Sequence, residues 1–325
     1  MAWTLSDLRK IETDTLRASV MDTLLMESNV MQMIPWETIG ALSTRIVRYA
    51  SLPSVGFRKV NEAFSASSGT LEQREEVISI MGGYCDTDEV IARAKNTIAD
   101  ARAINQVMYV KAMAYKFNEN FINGSPLSDP EEFTGLEKRV NDLYTEGFTG
   151  QRVDVAGGSV TEGILNSSAT RHNFLDKFDQ AIYAIKGHNP EFAFMNDGTL
   201  LAVRSLLRQE KLLNNAQDMF GRIIDVYSQT RLVDIGVDAD QTTEIIAADE
   251  TLGGGTTEAS IYCVKFGVGE FLWGIQEYPM EVEDLGKVDS SPHLLRTYIS
   301  WPLGLAMVDP YSISRLYGII ASNAA

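Results

Sequence analysis

Residues 50–73 read ASLPSVGFRKVNEAFSASSGTLEQ, a run of Ser, Gly, Ala and Pro that carries Phe57, Val60, Phe64 and Leu71, with Arg58 and Lys59 at its centre and Arg74 just beyond. Before it, ALSTRIVRYAS has β-branched residues and partial alternation, the pattern of a strand, and EEVISIMGGYCD after it reads as the partner. The stretch is therefore the loop of a hairpin. Such loops ordinarily have about two to five residues, and one above about 12–15 in a compact domain is functional or disordered. A loop that cannot bury its apolar side chains within its own subunit can bury them on a neighbour, where Arg58 and Lys59 meet acidic partners.

Upstream, the residues before Pro35 form a weakly helical leader that reads as an arm, with Trp36 and Ile39 as anchors after the break at the proline. Downstream, DTDEVIARAKNTIADARAINQVMYVKAMAYKFNENFINGSP is the strongest helical signal. Ile91, Ala94, Ile98, Ala101, Met108, Ala112 and Tyr115 recur at three- and four-residue spacing, which lines one helix face. Asp86 and Glu89 suit its start, and Asn123, Gly124 and Pro126 stop it. A helix over about 88–120 would be a spine of roughly 50 Å, and the small residues on its stripe point to close packing against a sheet.

From Asn141 the pattern is mixed. RHNFLDKFDQAIYAIKG and TLLAVRSLLRQEKLL read as amphipathic helices. NPEFAFMND, RLVDIGV, TTEIIAADE, ASIYCVKFG, EFLWGIQE and MEVEDLG read as short strands, and LLRTYISWPLGLAMVD as a longer last strand before DPYSISRLYG. The fold class is α+β.

Motifs for chemistry are sparse. His172, His188 and His293 are far apart, with no HExxH pattern, and Cys85 and Cys263 have no CxxC spacing, so both thiols read as structural. No GxSxG elbow or GxxxxGK[ST] loop occurs. Gly253, Gly254 and Gly255 lie between strand-like segments, as do Gly267 and Gly269, and read as turns; a phosphate cradle would open a helix. No cofactor, metal or catalytic residue is expected. The composition is globular, with 45% hydrophobic and 22% charged residues in 325. The formal net charge of −16 argues against a surface built to grip phosphates. No run of 18 apolar residues or signal-peptide pattern occurs, so the expectation is a cytoplasmic protein with no membrane partner.

The segment from IPWETIG through DTDEVIARAKN resembles the arm, extended loop and spine-helix start of the major capsid proteins of tailed bacteriophages. NPEFAFMNDGTLLAVRSLLRQEKLL resembles that family's strand-and-helix unit, and EASIYCVKFGVGEFLWGIQE with LLRTYISWPLGLAMVDPYSISRLYGI its closing strands. The resemblance implies the Hong Kong 97 type capsid fold, also called the Johnson fold. It would have an N-terminal arm at 1–35, an extended β-hairpin loop at 51–73, a peripheral domain from 36–50, 74–145 and 293–325 holding the spine helix, and a mixed α/β axial domain at 146–292. It implies a tile of an icosahedral phage head around double-stranded DNA, assembled in the host bacterial cytoplasm and residing in the virion. Its partners would be itself as hexamers and pentamers, a separate scaffolding protein, a portal and a cement or decoration protein, with packaged DNA touched only weakly and non-specifically. With no room for a long cleavable scaffold segment ahead of the arm, the N-terminus is expected to stay unprocessed. Trp36, Phe57, Arg58, Lys59, Val60, Phe64, Leu71 and Arg74 are the expected intersubunit contacts. An encapsulin-like cargo shell shares this fold, and an oligomeric α/β enzyme is the remaining alternative.

Overall fold

The computed structural model describes residues 3–5, 15–92, 101–155, 163–217, 223–288 and 291–321. In chain order its elements are β1 (Trp3–Thr4), α1 (Thr15–Glu27), α2 (Asn29–Met33), β2 (Pro35–Thr38), β3 (Ser43–Ser51), β4 (Thr70–Val77), β5 (Ser79–Asp88), α3 (Glu89–Ala92), α4 (Ala101–Asn123), α5 (Leu136–Thr145), β6 (Arg152–Asp154), α6 (Ser168–Tyr183), β7 (Phe192–Met195), α7 (Asp197–Gln209), β8 (Asn214–Gln217), β9 (Ile223–Tyr227), β10 (Thr230–Asp234), β11 (Ala259–Val264), β12 (Leu272–Gln276), β13 (Glu281–Val288), β14 (Ser291–Met307) and β15 (Ile313–Ile319). Local chemistry sets the helix starts. Asn196 accepts from the Thr199 amide at 2.9 Å ahead of α7, Ser167 and Thr170 form a reciprocal capping box on α6, and Ser28 caps α2.

The strands form three sheets. One has the order β1-β2-β12-β14-β13, with β5 on the other side of β14; the second runs β6-β15-β11-β7-β10-β9-β8; the third is the two-stranded ribbon β3-β4. Because β7 is covered on both faces, its four residues are all buried and alternate between two cores. Phe192 and Phe194 face the large core with Val110, Phe117 and Phe121 of α4, while Ala193 and Met195 face α6 and α7 with Phe174, Phe178 and Val203. Close approach is built in by glycine at β5, where a Cβ on Gly82 would lie 2.2 Å from the Ile299 carbonyl oxygen and one on Gly83 2.3 Å from the Tyr109 hydroxyl. The glycines of β5 thus bring it close to β14 and to Tyr109 of the long helix, whereas the small residues expected on the helix stripe do not make the contact: Ala112 is exposed.

Several expectations change. The residues expected as an arm form α1 and α2, and Val20, Met21, Leu24, Leu25, Val30, Met31 and Ile34 are buried in the large core against α4. The spine helix ends where Asn123, Gly124 and Pro126 place it, but Asp86 belongs to β5, ion-paired with Arg296, and residues 93–100 lie outside the described residues. Its buried stripe is Val110, Met113, Ala114, Phe117 and Phe121, whereas Met108 is 63% exposed and Ala112 faces outward. The larger aromatics take the core because they bury more surface. The strand paired with β3 is TLEQREEV; EEVISIMGGYCD is divided at Ile78, its second half pairing with β14. TTEIIAADE forms only isolated bridges, because the Asn123 and Asn196 side-chain amides take the carbonyls of Ile245 and Ile246. DPYSISRLYG, which the residue pattern left without a strand although the resemblance set it among the closing strands, supplies β15. The expected boundaries at 146–292 and 293–325 do not follow the sheets: β12 and β13 pair with β14, and β15 pairs with β6 and β11.

Candidate assembly interface

The ribbon's register decides which side chains face the body. Ser43 pairs with Val77 and Ser51 with Thr70, so alternation turns Thr44, Ile46 and Arg48 inward with Glu72, Arg74 and Glu76. Outward lie Arg45, Val47, Tyr49, Leu71, Gln73, Glu75 and Val77. An isolated two-stranded ribbon is marginally stable, and this one is held from below. Ile46 and Ile78 pack on Trp273, Ile275 and Ala306. Around them, Arg48 bridges Glu72 at 2.7 Å and Glu146 at 2.6 Å, Arg74 joins Glu72 and Glu146, and Arg139 of α5 grips Glu76 through both carboxylate oxygens at 2.7 and 2.8 Å.

This network shifts the charged groups. Burial works against the Arg48 guanidinium, yet its bonds to Glu146 and Glu72 hold its pKa above the ordinary value. Hydrogen bonding from Arg48 pulls Glu72 down; for Glu146, burial pushes up but Arg48 and Arg74 outweigh it, leaving it below its ordinary value. A carboxylate with a depressed folded pKa stabilises above its unfolded pKa and loses that contribution as pH falls through the folded one. Amide protection in the ribbon should therefore hold from neutral pH to about 4.5, the ordinary carboxylate value, and fall below it. Hydrogen exchange of β3 and β4 amides as a function of pH measures this.

Between the strands, the eighteen residues 52–69 leave the body altogether and are exposed throughout, with Phe57 fully so, Val60 at 88% and Phe64 at 67%. The tip is nonetheless shaped. Lys59 to Glu62 close a turn through Glu62 N–H to the Lys59 carbonyl at 3.2 Å, with Asn61 at φ 72°, a conformation asparagine tolerates. Glu62 accepts from the Lys59 amide, Arg58 donates to the Glu62 carbonyl at 3.1 Å, and its guanidinium lies 5.2 Å from the Phe64 ring centroid. At the loop's neck, Ser54 N–H donates to Ser67 at 2.8 Å.

The structure brings Phe57, Arg58, Lys59, Val60 and Phe64 together on this tip and puts Leu71 on the outward ribbon face. Two expected contacts are corrected. Trp36 is 3% exposed, with its ring 4.8 Å from Trp301 and 6.0 Å from Phe117, and is a core residue. Arg74 faces inward and ion-pairs with Glu72 and Glu146 of its own subunit. Sequence reading missed Arg48, Glu76, Arg139 and Glu146. The signal was there: charge at every second residue of TLEQREEV marks a face that needs partners.

Elsewhere the polar groups serve structure. The Gly253 and Gly255 amides both donate to the buried Glu258 carboxylate at 2.6 Å, so the chain's own anion fills the glycine turn. Both cysteines are buried, and burial pushes the Cys263 thiol up to about 12. His188 stacks on Tyr183. Among the described residues, no group of three or more His, Cys, Asp or Glu side chains could hold a metal, and no helix is long and apolar enough to cross a membrane.

This architecture recurs in shell-forming proteins. The chain is 14% identical to the SrpI encapsulin of Synechococcus elongatus PCC 7942, with TM-score 0.63 over 100% of this chain and 99% of that one. It is 14% identical to the capsid of an empty GTA particle, with TM-score 0.56 and 90% of each chain covered. With Mycobacterium phage Bobi it shares 12% identity at TM-score 0.55, over 90% of this chain and 89% of that one. No curated protein sequence matches. The fold these chains share is the Hong Kong 97 type capsid fold. Residues 12–184 match the family of the major capsid protein GP7, and the chain belongs to that family. It is a phage capsid subunit, and it associates with further copies of itself in the virion shell.

Proposed function

We propose that the protein is the repeated tile of an icosahedral head that encloses double-stranded phage DNA, and that the 52–69 loop is the clamp joining neighbouring tiles. The observation that carries the reading is the loop itself. Its five large apolar residues, Leu52, Val55, Phe57, Val60 and Phe64, are exposed, the last three on a shaped, cation-bearing tip held out by a rooted ribbon, an arrangement that gains from a surface on another molecule. Phe57, Arg58, Lys59, Val60, Phe64 and Leu71 are the contact residues. The six-stranded sheet with α4 would make the peripheral unit, and the seven-stranded sheet with α6 and α7 the axial unit. A net charge of −16 suits a wall that repels packaged DNA and touches it only weakly. The tile would act without catalytic turnover, assembling in the bacterial cytoplasm with a separate scaffolding protein, a portal and a cement or decoration protein.

Reversing both cations, Arg58→Glu with Lys59→Glu, should leave a folded subunit that fails to assemble. Both side chains are exposed, so folding should change by no more than about 0.5 kcal/mol. Each clamp would lose attraction worth about 1 kcal/mol or more, repeated at every contact of the shell. Circular dichroism reads the fold and electron microscopy the shells. Normal shells would refute an electrostatic clamp. The full-length likeness to an encapsulin favours a cargo shell as second reading; purified particles filled with protein and free of DNA would support it.

A further inference from the structure

Helix α5 (Leu136–Thr145) touches all three sheets, and its side chains divide by direction. Leu136, Val140 and Leu143 recur at four- and three-residue spacing and lie in the large core as a buried keel. At about 100° per residue, Glu137 projects to one side of that keel and Arg139 and Glu146 to the other, roughly 160–180° away. On the first side, Glu137 accepts from Arg315 of β15, in the seven-stranded sheet, at 3.0 Å. On the second, Arg139 holds both oxygens of Glu76 in the ribbon, and Glu146 holds the ribbon's Arg48 at 2.6 Å and its Arg74. Arg139 also donates to the Leu305 carbonyl of β14, in the six-stranded sheet. The helix start is pinned, since a Cβ on Gly135 would lie 2.6 Å from the Asn120 carbonyl oxygen of α4. Past its end the chain turns at Gly147, with φ 101°, and reaches β6, which pairs with β15 itself.

We infer that α5 is a rocker that couples the tilt of the ribbon to the seven-stranded sheet, with Arg139 and Glu146 as one arm and Glu137 on Arg315 as the other. A ribbon that tilts on its footing carries Arg48, Arg74 and Glu76 with it. Apolar contact is non-directional, whereas these charge-assisted bonds are directional, so the helix turns on its keel before the bridges part. The bond to the Leu305 carbonyl keeps that turn small. On the far arm Arg315 is buried and held by Glu250 at 2.9 Å and Ser260 at 3.0 Å, so it cannot swing out to water, and a shift of Glu137 is felt in β15. On the clamp reading, a loop that seats on another molecule thereby alters the seven-stranded sheet of its own subunit. The coupling itself does not depend on what the loop grips.

Hydrogen exchange on unassembled full-length subunits tests the coupling. Glu137→Gln removes one arm with little harm to folding, because the Glu137 side chain is 41% exposed and Arg315 keeps Glu250. Amides of β3 and β4 should then exchange roughly threefold faster or more, measured against the amides of α7, which makes none of these contacts. Arg48→Met perturbs the other arm and leaves Arg74 on both Glu72 and Glu146. It should speed the β15 amides against α7 by a similar factor, because linkage between two sites is reciprocal. A merely structural role confines the first effect to α5 and β15 and the second to the ribbon. If the ribbon in Glu137→Gln, or β15 in Arg48→Met, changes no more than α7 does, the rocker is overturned. Since no shell is involved, that outcome leaves the clamp reading standing, and the clamp in turn falls only on normal shells from Arg58→Glu with Lys59→Glu.

Discussion

Replacing Arg139 with alanine is expected to destabilise the subunit by about 3–5 kcal/mol and to abolish shells, the larger effect for function being the loss of the ribbon's footing. Arg139 is 6% exposed and makes four bonds: two to Glu76, one to the Leu305 carbonyl at 2.9 Å and one to the Thr134 carbonyl at 3.1 Å. It therefore ties the ribbon (Glu76) to α5 and to the long strand β14 (Leu305). Alanine leaves the Glu76 carboxylate, 12% exposed, with no counter-charge in a site shaped for one. Replacing both partners, Arg139→Met with Glu76→Leu, removes the buried charge pair together and should recover most of the stability. Denaturant unfolding of the free subunit measures both variants. A small loss in Arg139→Ala, within the about 0.5 kcal/mol of surface changes, would contradict the buried-pair account.

The ribbon also shows what a sequence conveys and what it withholds. Long-range order was legible, because a loop too long for its hairpin, a helix stopped by Asn123, Gly124 and Pro126, and short strands separated by turns are all local signals. Pairing and facing were not. The helix carries two apolar stripes, and only the sheets around it decide that Phe117 and Phe121 are buried while Met108 is not. The β15 strand hid because its buried Ser314 and Arg315 break the apolar pattern; Arg315 is tolerated there by Glu137 at 3.0 Å and Glu250 at 2.9 Å, which lie far off in sequence. Trp36 looked like an anchor for a neighbour because an aromatic after a proline break has no local partner; its partners, Phe117 and Trp301, arrive from the middle and the end of the chain. The loop's apolar residues were legible for the opposite reason, since the fold leaves them exposed, away from its apolar cores.

The same aromatic cluster supports a second large effect. Trp301 has no exposed surface, lies against Trp36 and Phe117, and donates its indole N–H to Gln276 Oε1 at 3.0 Å; Gln276 in turn donates to Thr38 at 3.0 Å. It locks β14 to β12 and β2, so it joins the N-terminal segment to the sheet under the helix. Trp301→Ala should lower subunit stability by about 3–5 kcal/mol through the lost burial and the cavity left behind. Trp301→Phe keeps most of the packing but strands the Gln276 oxygen, for a loss of about 1–3 kcal/mol. Trp36 makes the instructive contrast. Its indole nitrogen is buried with no hydrogen-bond partner, and Gly274 is the residue that admits its ring, since a Cβ there would lie 2.5 Å from it. Trp36→Phe thus discards a donor that contributes nothing while keeping an aromatic ring on Phe117 and Trp301, and should cost less than Trp301→Phe. Urea unfolding of the three unassembled variants, followed by far-ultraviolet circular dichroism, ranks them. Equal losses for the two phenylalanine variants would mean that hydrogen bonding by these indoles does not matter and that ring volume alone sets the stability of the cluster.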